Sequence, residues 1–234
     1  MSLINEPAFI GGVKLLNNLS MKTINSFVLM AVLLLFSSCA VNRKISFENV
    51  NVNPGYHHGL PILLVVQDQR NQVVRLGQKT SWCGRNGVYN IQTASGKSVS
   101  YEFAEVIGKS LSKEGMTPNK IILGIHSDPD SLVKEFPKKS EGRLLILTIK
   151  NWETNCTALF SSMRYEATVG LELKVYDKAG NLIADEESAD TQLKEQGMGL
   201  NMKILQALAE STLQDQINKL FRKEKVKLNI EKPI

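Results

Sequence analysis

Apolar residues along this chain recur with two spacings, and each predicts a kind of element. Residues 60–66, 121–125 and 144–149 are short, almost continuous apolar runs, the pattern of strands covered on both faces. In residues 165–175 the odd positions Tyr165, Ala167, Val169, Leu171, Leu173 and Val175 are apolar or aromatic, while Glu166, Thr168, Glu172 and Lys174 are polar. That alternation predicts a long strand with one solvated face. Asp177-Lys178-Ala179-Gly180-Asn181 then turns the chain back into a partner strand over residues 182–191. Helical spacing joins Val99, Phe103, Ile107 and Leu111 in residues 98–113, with Gly115 as the stop. Leu205, Ala209, Leu213, Ile217 and Phe221 repeat it across residues 201–223. Asp128 as cap and Pro129 at the first position open a shorter helix through Phe136.

These elements add up to one α/β (α+β) domain over residues 60–223. It is expected to hold a mixed sheet with a C-terminal antiparallel hairpin and amphipathic helices mainly on one face. The polar, glycine-punctuated residues 68–97 add short strand candidates at 73–76 and 88–92. Residues 39–59, with Asn42, Asn49, Asn51 and Asn53-Pro54-Gly55, read as a flexible tether, and residues 224–234 as a basic tail.

The longest apolar run belongs to none of these elements. Residues 27–36 are unbroken apolar sequence behind Lys22, and Ser37-Ser38-Cys39-Ala40 follow at once. The run falls short of the ~20 residues that span a bilayer core and suits a signal-peptide core instead. Its end resembles a lipobox, where bacterial lipoproteins are acylated on cysteine before cleavage, with Phe36 in the place usually taken by Leu. Residues 21–38 are therefore expected to be a lipoprotein signal peptide and Cys39 the lipidated residue. Residues 1–20 fit this poorly, since a signal peptide begins with its basic segment. They read as a misassigned extension ahead of Met21. Ala40, rather than Asp, after the cysteine points by resemblance to the outer membrane, with the domain on its periplasmic face.

Composition then narrows the classes. Hydrophobic residues make up 43% and charged residues 22%, which excludes a mostly disordered, collagen-like or disulfide-dense chain. Lys and Arg number 28 against 23 Asp and Glu, a formal +5. Six of the cations, Lys219, Arg222, Lys223, Lys225, Lys227 and Lys232, crowd the C-terminal end, so the body is nearly neutral and no nucleic-acid footprint is present. With Cys39 carrying lipid, Cys83 and Cys156 remain. In an oxidising compartment they are expected to form a disulfide, closing a long loop for a gain of ~4 kcal/mol.

Candidate chemistry is sparse. Ser95-Gly96-Lys97-Ser98 mimics the end of a phosphate-binding loop, but Ile91 stands where its first glycine belongs, and Ser98 reads as a helix cap. His57-His58 and His126 lack a spacing that places three metal ligands on one element. Ser127-Asp128-Pro129-Asp130 lacks the distal Glu of a calcium loop. No Gly-x-Ser-x-Gly elbow occurs. No catalytic residue, metal or cofactor is assigned. Asp68 and Arg70 after the first strand, Trp82 beside Cys83, and Trp152 before Cys156 remain as candidate binding residues, because α/β sheets take ligands at strand ends and Trp and Arg dominate binding hot spots.

The stretch Ile62-Leu63-Leu64-Val65-Val66-Gln67-Asp68-Gln69-Arg70, with Leu76-Gly77 soon after, resembles the opening of the YajG-type lipoproteins of Gram-negative envelopes. The later helix, strand, hairpin and final helix follow in the same order. The resemblance implies an outer-membrane lipoprotein with a small α/β domain and no established enzyme activity. The expected function is a lipid-anchored periplasmic binding or assembly domain. Its partners are the membrane and possible envelope proteins, not nucleic acid. An accessory factor for a cell-wall synthase and an envelope hydrolase are the alternatives.

Overall fold

The computed structural model of the chain describes residues 43–56, 61–139 and 142–231. The signal run, Cys39, His57 and His58 lie outside the described residues. In chain order the elements are β1 (Lys44–Ile45), β2 (Pro61–Asp68), α1 (Asn71–Val74), β3 (Trp82–Asn86), β4 (Tyr89–Thr93), α2 (Val99–Lys113), β5 (Thr117–Leu123), α3 (Pro129–Lys139), β6 (Arg143–Ala158), β7 (Ser162–Tyr176), β8 (Leu182–Gly197), α4 (Met202–Phe221) and α5 (Glu224–Glu231).

The strands make one mixed, eight-stranded sheet. Strand β6 is its spine. One edge of β6 pairs antiparallel with β7 along almost its whole length, and β7 pairs antiparallel with β8. The other edge is shared by two strands set end to end. Strand β2 runs parallel to residues 143–149, and β3 runs parallel to residues 154–156. Strand β5 extends the sheet beyond β2, while β4 and then β1 extend it beyond β3.

Alternation along the strands sorts side chains into two apolar layers. Ile62, Leu64 and Val66 of β2, with Leu145, Leu147 and Ile149 of β6, face the main core. There they meet Phe103, Ile107 and Leu111 of α2 and Leu205, Leu213 and Ile217 of α4. Val65, Leu144 and Ile146 point the other way, into a smaller cluster closed by Phe136 of α3. Helices thus pack mainly on one face. The predicted helix over residues 98–113 starts as its cap dictates: Ser98 Oγ accepts the Tyr101 backbone N–H at 3.1 Å.

Three expectations give way. The polar segment ahead of β2 is not a free tether over residues 43–56, because Ile45, Phe47, Val52 and Tyr56 are buried in the main core. A ladder of polar side chains along one face of α4 holds this strap. Gln206, Gln214 and Asn218 accept the backbone N–H groups of Ser46, Asn51 and Asn53 at 2.8, 3.1 and 2.7 Å. The expected basic tail is helical over Glu224–Glu231, with Val226 and Ile230 buried. Residues 73–76 are not a strand; Asn71–Val74 is a single helical turn.

Candidate functional site

The end-to-end arrangement of β2 and β3 leaves a break in the ladder along β6. Backbone pairing to β2 stops at Ile149 and resumes with β3 at Thr154. Both flanking strands are irregular there, β6 between Ile149 and Asn151 and β3 between Trp82 and Gly84. Carbonyls in such a break need donors, because a buried unpaired polar group costs ~1–3 kcal/mol.

Arg70 supplies them. Its guanidinium is fully buried and donates from Nη1 to the Trp82 carbonyl at 2.6 Å and the Trp152 carbonyl at 3.3 Å. Nη2 donates to the Thr80 carbonyl at 3.2 Å. The remaining two hydrogens form a bidentate pair with Asp68, Nε to Oδ1 at 2.8 Å and Nη2 to Oδ2 at 2.7 Å. All five donors of the planar fork are engaged. The structure therefore brings together all four residues singled out from the sequence. Asp68 and Arg70 pair through their side chains, and Trp82 and Trp152 take part through their backbone carbonyls.

The two indoles extend the knot in opposite ways. Trp82 Nε1 donates to Asn90 Oδ1 at 3.2 Å. Trp152 packs against Phe47 of the strap and Phe103 of α2, each with ring centroids 5.5 Å away. Its indole N–H completes no hydrogen bond. It reaches the Cys83 sulfur only as a weak polar contact, which pulls that thiol's pKa down against the larger effect of burial.

The expected disulfide between Cys83 and Cys156 is absent; both are free and buried. The register explains why. Gly84 faces Thr154 and Asn86 faces Cys156, so Cys83 sits three residues out of step with Cys156 on a neighbouring parallel strand. Three residues of strand rise amount to ~10 Å, before the spacing between strands is added. A disulfide needs Cα atoms within ~7 Å. Burial pushes the Cys83 thiol up to about 12, and raises Cys156 as well. Both shifts favour the protonated thiol over the reactive thiolate.

Beside the knot the surface opens into a depression of about 380 Å³ at the carboxyl ends of β2 and β5 and the start of α2. Asp68, Thr80, Ser98 and Ser100 supply its polar lining and Ile122 and Ile125 its apolar side. Gln67 Nε2 ties its rim by donating to the Ser127 carbonyl at 2.6 Å. His126 lies in the loop beyond β5. No group of three or more metal-ligating side chains occurs among the described residues.

Thr80, Thr154, Phe47 and Phe103 were missed as parts of this region. One sequence signal pointed to some of it: Trp152, Thr154 and Cys156 alternate with Asn151, Glu153 and Asn155, which continues β6 beyond Ile149.

Neither a protein-family model nor a curated protein matches the chain. Its fold is similar in part to several solved bacterial proteins. A neuraminyllactose-binding hemagglutinin homolog from Helicobacter pylori shares 8% identity, with a TM-score of 0.34 over 78% of this chain and 89% of that one. A lipoprotein from Neisseria meningitidis shares 16% identity, with a TM-score of 0.25 over 68% and 99%. The PelC dodecamer from Paraburkholderia phytofirmans shares 12% identity, with a TM-score of 0.29 over 70% and 92%. Likenesses of this depth carry no function across to this chain. No helix among the described residues is long and apolar enough to cross a membrane.

Proposed function

We propose that the protein is a lipid-anchored domain of the bacterial envelope, held on the periplasmic face of the outer membrane through Cys39, which works by binding or assembly rather than by catalysis. The observation that carries this reading is the apolar run of residues 27–36, closed at once by Ser37-Ser38-Cys39-Ala40. The resemblance of residues 62–70 to YajG-type lipoproteins supports it. So does the employment of the reactive-looking side chains: Arg70 and Asp68 are spent on each other and on backbone carbonyls, and Cys83 and Cys156 are buried thiols. The depression lined by Thr80, Ser98 and Ser100 stands at the parallel-strand ends where α/β sheets accept ligands.

The packed strap bears on what such an anchor could reach. Only three residues, Ala40, Val41 and Asn42, lie between Cys39 and Arg43, the first described residue. The four residue steps from Cys39 to Arg43 span at most ~14 Å. A domain so tightly leashed stays at the surface that holds it, which counts against an accessory factor crossing the cell wall to a synthase. Fractionation of cells expressing the wild type and Cys39→Ser tests the anchor. The wild type should sediment with outer membrane and C39S should be released; equal distribution of the two overturns the reading. Crosslinking in the same cells tests the binding role, which predicts a stoichiometric envelope partner.

A further inference from the structure

The topology gathers several loops at one end of the sheet, and those loops expose large apolar side chains. Strand β3 runs parallel to β6 with Asn86 beside Cys156, so the β3–β4 turn stands next to the β6–β7 turn. Ser162 at the start of β7 pairs with Gly197 at the end of β8, which places the loop after β8 at the same end. The three tips carry Val88 at 90% exposure, Phe160 at 101% and Met198 at 75%, with Tyr89 and Leu200 also exposed. None of these side chains serves the core. The β3–β4 turn is built to project one: Asn86 pairs with Tyr89 across two residues, and Gly87 takes φ 58° at the first of them, leaving Val88 at the apex.

The first described residue, Arg43, lies at this end too. Strand β1 pairs parallel with β4, Lys44 beside Gln92 and Ile45 beside Thr93, so β1 begins on the side toward Tyr89. The Arg43 guanidinium confirms the direction, since it sits 3.6 Å from the centre of the Tyr89 ring. Within four positions of the tips stand Arg85, Arg164, Lys194 and Lys203 against the one acid Glu195, which Arg164 holds at 2.7 Å. Apolar tips, an aromatic ring and a surplus of cations are the composition of a surface that meets anionic lipid headgroups.

We infer that this sheet end, with Val88, Tyr89, Phe160, Met198 and Leu200 at its tips, is a bilayer-contacting face that docks the domain onto the membrane carrying its anchor. The inference rests on lipidation at Cys39, because at most ~14 Å of chain joins Cys39 to Arg43, and Arg43 stands beside these tips, so they, and no other end of the sheet, come to the lipid surface. The anchor supplies attachment and the tips supply orientation, which presents the depression and the α4 side in a fixed direction.

The test uses the full lipidated protein in vesicles of phosphatidylethanolamine with phosphatidylglycerol. Single Val88→Cys, Phe160→Cys and Met198→Cys variants carry an environment-sensitive fluorophore, with Lys178→Cys at the opposite end of the sheet as control. Cys83 and Cys156 are buried and stay unlabelled. The proposal expects wild type and variants to float with the vesicles. The three tip labels should be quenched by iodide at least about threefold less than the Lys178 label, as for groups seated among headgroups. Floating protein whose tip labels are quenched as strongly as the control overturns the docking face and leaves the anchor standing. Tip protection that vanishes as the protein is diluted in lipid assigns the face to a second copy and overturns it as well. Failure of the wild type to float overturns the anchor, and the docking face with it.

Discussion

Replacing Arg70 with Met should be among the most damaging single changes available to this domain. The substitution keeps much of the side chain's length and removes five donated hydrogen bonds at once. Two costs follow. The Asp68 carboxylate, 1% exposed, loses the guanidinium it is paired with, and breaking a buried pair from one side costs ~3–5 kcal/mol. The carbonyls of Trp82 and Trp152 lose their donor in the break, at ~1–3 kcal/mol each before water or local movement recovers part, while the Thr80 carbonyl keeps the Val99 N–H at 2.9 Å. A total near 5 kcal/mol is comparable with the whole stability of an ordinary domain. Urea unfolding followed by tryptophan fluorescence reads it directly, because both tryptophans sit on the knot. With a slope of ~2–3 kcal/mol/M, the midpoint should fall by about 1.5–2.5 M. Asp68→Asn added to Arg70→Met should recover part of that loss, since it removes the stranded charge. An R70M midpoint within ~0.3 M of wild type, or a double variant less stable than R70M, would refute the reasoning.

Two further expectations concern the same seam. Cys83 and Cys156 should both be recovered as free thiols under non-reducing mass mapping, and should react with a thiol reagent at pH 8 only after urea unfolds the domain; a Cys83–Cys156 crosslinked peptide would contradict the register. Gly84→Ala should cost far more than Gly87→Ala. A Cβ at Gly84 would fall 1.7 Å from the Thr154 carbonyl oxygen at φ 150°, whereas at Gly87 nothing lies within 4 Å. G87A should lose only the ~1–2 kcal/mol of left-handed backbone, while G84A should lose several, and equal midpoints for the two would show that β3 yields at that point.

Where periodicity was strong the fold was legible. The alternation through Tyr165 to Val175 and the four-residue spacing from Leu205 to Phe221 specified β7 and α4, because each keeps one face against the core. The strap was not legible in the same way. Its apolar residues Ile45, Phe47, Val50 and Val52 are separated by Ser, Glu and Asn, and that composition reads as linker. What orders it is a ladder on α4, some 160 residues away, which no local pattern encodes. The basic tail failed for a related reason: charge concealed Val226 and Ile230, four residues apart on one helical face.

The candidate residues show the limit most clearly. Asp68, Arg70, Trp82 and Trp152 do converge, yet on one another. A guanidinium near a strand end can serve a ligand or bridge a break in a sheet, and only the pairing of β2 and β3 along β6 distinguishes the two. The cysteines fail by the same logic, since a parallel register offset of three residues cannot be seen in a loop length.

The central claim is that this domain hangs from a lipid on Cys39. Mass spectrometry of the N-terminal peptide from membrane-extracted protein tests it most directly. The account predicts a mature chain beginning at Cys39 with a diacylglyceryl group on its sulfur. An intact peptide from residues 1–14, or an unmodified thiol at Cys39 in the membrane-bound protein, would contradict it.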